Sequence, residues 1–139
     1  MSRSGYSDDL DSWDLIKWRG QVASAIRGKR GQALLRDLVT ALDAMPEKSL
    51  VAGDLETKDG EVCALGAAGK ARGMELSEID PEDYDAVAKA FDIAHQLAQE
   101  IAYENDESGP WDETPEHRWQ RMRDWAVSHI RSDTSESVV

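Results

Sequence analysis

Apolar residues return at intervals of three and four along several stretches of the chain, the spacing that gathers them on one face of an α-helix. Leu15, Ile16, Trp18, Val22 and Ile26 predict a first helix over about 12–27, with Ser12 placed to cap it. From Gln32 the residues Leu34, Leu35, Leu38, Ala41, Leu42 and Met45 repeat the pattern until Pro46, which lacks the N–H a helix interior needs. Asp80-Pro81-Glu82-Asp83 reads as a helix start, because Asp80 can accept from free amides and Pro81 suits the first helical position. The stripe that follows, Tyr84, Val87, Ala88, Phe91, Ala94, Ala98, Ile101 and Ala102, predicts one long, central helix running to about Tyr103. Thr114-Pro115-Glu116 restarts the chain, and Trp119, Met122, Trp125, Ala126 and Ile130 predict a last helix with Arg118, Arg121 and Arg123 turned away from its buried face.

The segments between these stripes read differently. Arg27-Gly28-Lys29-Arg30-Gly31 predicts a short basic turn, since glycine disfavours helix and the cations repel one another. Leu50-Val51-Ala52 and Glu61-Val62-Cys63 flank Lys58-Asp59-Gly60, a turn signal that predicts a hairpin. Ala64 to Gly73 is rich in small residues, which suits a short helix packed close to a neighbour and ended by Gly73. Together these signals predict a mainly α fold, a compact four- to five-helix domain with a small β-hairpin near residues 50–63. A loose N-terminal segment is expected over 1–11, a single helical domain over 12–131 and a disordered tail over 132–139. With 139 residues the chain has the size of one domain able to bury its own core.

Charge changes this picture by its distribution. Residues 1–36 carry seven cations against four acids, residues 37–113 five against twenty, and residues 114–139 four against four. So acidic a centre repels phosphates, which disfavours general nucleic-acid binding. Eleven acids fall between Glu75 and Glu107 against the single base Lys89. Such a run serves solubility, or it imitates a phosphate backbone and competes for the Lys/Arg groove of a nucleic-acid enzyme. The second reading makes Glu78, Asp80, Glu82, Asp83, Asp85, Asp92, Glu100, Glu104 and Asp106 partner-binding residues. Trp111, in a Gly-Pro loop between acids and outside any helical stripe, joins them as a contact residue. The basic turn offers the opposite chemistry: Arg27, Lys29 and Arg30 ahead of a helix N-terminus are a candidate anion site, for instance for a nucleotide, and otherwise a solvated connector.

Catalytic signals are sparse. Cys63, the single cysteine, excludes an internal disulfide and a multi-cysteine zinc site, and suits a reducing, cytoplasmic setting. As a nucleophile it needs a histidine or helix N-terminus beside it, whereas Val62 and Leu65 surround it with the apolar residues of a buried thiol. His95, His117 and His129 lack the i, i+4 spacing of a helical metal pair. No cofactor or metal is expected, and no enzyme, although a Cys63-dependent activity stays open. The opening residues lack a signal peptide's apolar core and no stretch approaches the roughly 20 apolar residues that span a bilayer, so neither export nor membrane insertion is expected.

Three segments, Asp11-Ser12-Trp13 through Trp18-Arg19-Gly20, Arg27-Gly28-Lys29-Arg30-Gly31-Gln32 and Glu61-Val62-Cys63-Ala64-Leu65-Gly66, resemble a group of small uncharacterised proteins encoded by tailed phages and prophages. The likeness covers most of residues 5–131. It implies a phage accessory protein working in the host cytoplasm. With the acidic centre, it points to an inhibitor of a host nucleic-acid-processing or defence complex, of the anti-CRISPR or anti-restriction kind, whose partner is a host protein with a basic groove. A homodimer is also expected, the basic N-terminal block of one copy meeting the acidic centre of another.

Overall fold

A computed structural model of the chain describes residues 12–131, so the expected loose segment 1–11 and the expected disordered tail 132–139 lie outside the described residues. Among the described residues there are six helices: α1 (Ser12–Arg27), α2 (Lys29–Ala44), α3 (Ala64–Ala71), α4 (Tyr84–Phe91), α5 (His95–Asp106) and α6 (Pro115–His129). The fold is mainly helical, with one more helix than the expected upper count. α2 packs on α1, α3 and α6, and α5 packs on α1, α3, α4 and α6. The core therefore sits around these two helices, where Leu34, Leu35, Leu38, Leu42, Leu97 and Ile101 are shut off from solvent.

The first two helices meet at a single residue. Gly28 alone is non-helical, so the five-residue basic turn of the sequence reading is a joint, with Lys29, Arg30 and Gly31 already in α2. Gly31 is needed there because a Cβ would stand 2.0 Å from the Ala25 carbonyl oxygen. At the other end of α2 the chain leaves at Met45, ahead of Pro46.

The expected hairpin is a turn without a ladder. Thr57 N–H donates to the Glu61 carbonyl and Gly60 N–H to the Thr57 carbonyl, but the pairing reduces to one isolated antiparallel bridge, Glu56 to Val62. The backbone groups here are shared out more widely, Val51 N–H to Val62 O and Cys63 N–H to Leu55 O. α3 follows as expected, with small residues where neighbours approach. A Cβ on Gly66 would lie 1.9 Å from the Leu55 carbonyl oxygen, and one on Gly69 would lie 2.8 Å from a Leu76 methyl and 3.1 Å from the Phe91 ring.

The long helix expected from Pro81 to Tyr103 is two helices. Its start falls three residues late: Asp80 Oδ1 accepts from the Glu82 N–H in a turn, and Asp83 is the cap, accepting from the Ala86 N–H. It then breaks at Asp92, which takes the left-handed conformation (φ 55°, ψ 55°), an arrangement aspartate tolerates better than most residues. The break has a packing reason. Ile93 stands two residues beyond Phe91, out of phase with the stripe of a continuous helix, and the reversal at Asp92 lets both be buried, at 0% and 3% exposure. The Ile93 N–H closes the end of α4 on the Ala88 carbonyl. α6 begins as read, with Thr114 Oγ1 accepting from the His117 N–H and Pro115 in the first turn.

Candidate functional site

The acids proposed as one face divide into two groups. Glu75, Glu78, Asp80, Glu82, Asp83, Asp85 and Asp92 are all exposed, along the turns before α4 and on α4 itself. Glu100, Glu104 and Asp106 are half-buried on α5, and Asp106 Oδ1 accepts from the Gly53 N–H and the Asn105 side chain. Several of the exposed acids also hold local structure. The Ser77 hydroxyl and N–H donate to Glu75 Oε1 and hold its carboxyl below the usual range. Asp85 meets the His95 ring at 2.7 Å, and Asp92 meets Arg30 at 3.3 Å. Glu78 and Glu82 project without such a side-chain task among the described residues.

The basic residues of the joint part company. Lys29 and Arg30 line a cavity of about 840 Å³ on one side of α1, with Lys17, Gln21, Ser24 and Gln96. Arg27 faces a second cavity of about 380 Å³ on the other side, between α1, α5 and the end of α6, with Arg19, Glu100, His129 and Arg131. Burial pushes the Glu100 carboxyl up to about 7, the neighbouring Glu104 adds to this, and Arg19 opposes it. Glu100 Oε1 is closed off from water and has no hydrogen-bond partner among the described residues.

The firmest electrostatic cluster was not visible as a candidate in the sequence. Glu113, just before α6, has a side chain only 2% exposed. Its Oε2 accepts from Arg121 Nε and meets His117 Nδ1, each at 2.6 Å, while Oε1 accepts from Arg121 Nη2 at 2.9 Å. Arg118 stands 3.4 Å away. Hydrogen bonds from Arg121, then from His117, with the arginine charges behind them, hold the carboxyl down at about 2 against the opposing effect of burial. The same arginines reach the last carbonyls of α5, Arg121 donating to Glu104 O and Arg118 to Asn105 O, and Arg118 also donates to Leu50 O between α2 and α3. They satisfy acceptors that a helix end leaves open. Arg118 and Arg121, expected to turn away from the buried face of α6, are thus inward staples. Their i, i+3 spacing behind Glu113 was the available signal.

Two buried amides do similar work. Asn105 Oδ1 accepts from the Ala64 N–H at the start of α3 and its Nδ2 donates to Val51 O. Gln32 Nε2 donates to Ile26 O and His129 O, and its Oε1 accepts from the Arg131 N–H. Each occupies an apolar stripe position, Asn105 one turn beyond Ile101 and Gln32 one turn before Leu35, which marks it as a buried polar group needing partners.

Cys63 is 1% exposed, and its Sγ caps α3 by accepting from the Gly66 N–H at 3.4 Å. His129 lies against Trp125, ring centroids 4.9 Å apart, and no group of three metal-ligating side chains occurs among the described residues. Trp111 is 97% exposed, with Trp13 and Ile16 the next most exposed large apolar residues. No described helix is long and apolar enough to cross a membrane. Comparison with protein-family models, curated proteins and solved structures finds no match for the chain.

Proposed function

We propose that this chain is a non-enzymatic binding protein that seats an acidic segment, residues 75–92, in a basic groove of a partner protein. The observation that carries the reading is the exposure of seven carboxylates within those residues, against the lone cation Lys89. Local hydrogen bonds at Glu75, Asp80 and Asp83 fix the backbone beneath them, which lowers the ordering cost of binding. Charge of one sign on a fixed surface speeds encounter with a basic site and rejects acidic ones. The phage resemblance makes the partner a host nucleic-acid-processing or defence protein and the chain its cytoplasmic inhibitor. Glu100, Glu104 and Asp106, half-buried on α5, are further partner-binding residues in the reading, and Trp111 is an apolar contact on a separate loop.

The test is reversal of Glu78, Glu82 and Asp85 to lysine. Tagged chain is recovered from a bacterial host after nuclease treatment, with circular dichroism to verify that the variant folds. A nucleic-acid-processing protein held by the natural chain and released by the variant supports the reading. Equal retention by both defeats it.

A second reading, an anion-holding module at the basic joint, is favoured by the cavity that Lys17, Lys29 and Arg30 line. It expects nucleotides to raise the melting temperature and Lys29→Ala/Arg30→Ala to remove that rise.

A further inference from the structure

The cavity between α1, α5 and the end of α6 departs from the charge of the molecule around it. The chain carries a formal charge of −12, yet Arg19, Arg27 and Arg131 all border this opening. None of their guanidinium groups has a hydrogen bond or ion pair among the described residues. Arg131 is held through its backbone instead, its N–H donating to Gln32 Oε1 and its carbonyl accepting from Arg36. Gln32 also binds Ile26 O and His129 O, so a buried side chain fixes the α1 wall and the α6 wall relative to each other. Val22, Ala23, Ile26 and Ile130 give the wall an apolar part, beside Ser128 and His129.

We propose that this cavity binds a nucleoside monophosphate, the phosphate held by Arg19, Arg27 and Arg131 and the base lying on the apolar wall with its polar edge toward Glu100. Guanidinium groups bind phosphate through paired, charge-assisted hydrogen bonds. The apolar wall accepts a flat ring, and the volume of about 380 Å³ falls in the usual range for small-molecule sites. Glu100 supplies what such a base needs. Glu100 lines the cavity, and a carboxyl that keeps its proton presents a donor and an acceptor side by side, the complement of a base edge. The ligand class is that of the second reading above, but the seat is different, on the opposite side of α1, so the two stand or fall separately.

Glu104 on its own helix and Arg19 from α1 act on Glu100, and Arg27 from α1 with His129 and Arg131 at the end of α6 border the same cavity. A bound phosphate adds negative charge nearby and favours the protonated carboxyl, so binding takes up protons and weakens as Glu100 ionises through about 7.

The experiment is calorimetric titration of the full chain with the four common ribonucleoside monophosphates, and with adenosine and inorganic phosphate separately. At least one nucleotide is expected to bind more tightly than either component. Arg19→Ala/Arg27→Ala is expected to weaken it about tenfold or more, as loss of charge-assisted hydrogen bonds does. Lys29→Ala/Arg30→Ala should leave it within about twofold, because those residues border the other cavity. Glu100→Gln should bind at neutral pH yet flatten the pH dependence. That is read as the ratio of its affinity to the natural chain's across the range, in which the phosphate's own titration cancels. Absence of binding by all four nucleotides overturns the proposal, as does inorganic phosphate binding equally well. Loss of binding in Lys29→Ala/Arg30→Ala, with none in Arg19→Ala/Arg27→Ala, overturns it in favour of the joint.

Discussion

Glu113 and Glu100 are both glutamates shielded from water near arginine side chains, and the fold drives them in opposite directions. Glu113 is held by a two-toothed bond from Arg121, with His117 and Arg118 beside it, and its carboxyl falls to about 2. Glu100 has Arg19 only through space, Glu104 as a like-charged neighbour and an oxygen without a partner, and its carboxyl rises to about 7. Proximity to arginine does not decide the outcome. Directed hydrogen bonds that satisfy the buried oxygens do, since desolvation acts against both carboxylates and only one is compensated. The first arrangement is a closed structural clasp, and the second leaves a buried oxygen unsatisfied.

The largest effect is expected on breaking the clasp. Arg121→Ala strands Glu113 under the α5–α6 loop and opens the end of α5, costing about 3 kcal/mol in urea unfolding. A loss below about 1 kcal/mol would mean that Arg118 and His117 suffice. The clasp also fixes a pH response. Because the folded value of Glu113 lies below its ordinary 4.5, its stabilisation is complete above that value and drains away as pH falls toward about 2. The Arg121→Ala chain should therefore lose less stability between those limits than the natural chain, as measured by melting at each pH.

Glu100 gives a smaller effect of opposite sign. Its folded value lies above the ordinary 4.5, so the folded chain binds the proton more tightly and stability falls as pH rises from there through about 7. Glu100→Gln should stabilise the chain at pH 8 by about 1 kcal/mol, a figure reduced for the partial exposure of the group, with little change near pH 4. Equal effects at both pH values would show that the site is not strained by ionisation.

The smallest change is expected at a third acid beside an arginine. Asp92 and Arg30 pair at 3.3 Å with both side chains largely exposed. Asp92→Asn keeps a residue suited to the left-handed end of α4 and should shift stability by no more than about 0.5 kcal/mol. A loss comparable to that of Arg121→Ala would show that this surface pair acts as a clasp as well.

The helices were legible where the cause of a helix is local. The stripes of α1, α2 and α6, the Thr114-Pro115 start and the small-residue face of α3 all follow from periodicity and capping, which act within a few residues. The single helix over 81–103 was misread because its stripe continues in phase past Asp92, and only the need to bury Ile93 beside Phe91 reverses the chain there. The hairpin was overread because Lys58-Asp59-Gly60 does make a turn, while the backbone groups around it find partners at Leu55 and Val51 rather than in a ladder.

Of the candidate sites, the sequence by itself determined which residues are charged and in what order, hence the acidic segment and its exposure on a polar stretch. It also set the helical period that buries Leu34, Leu38, Phe91 and Ile101. Only the tertiary structure decided that Lys29 and Arg30 face one cavity and Arg27 another, that Arg19 and Arg131 border one cavity across 112 positions of chain, and that two glutamates of one fold hold their protons so differently. Charge order is covalent and periodicity is local, but a carboxyl's surroundings are assembled from distant segments, and burial and hydrogen-bond geometry exist only once those segments have packed.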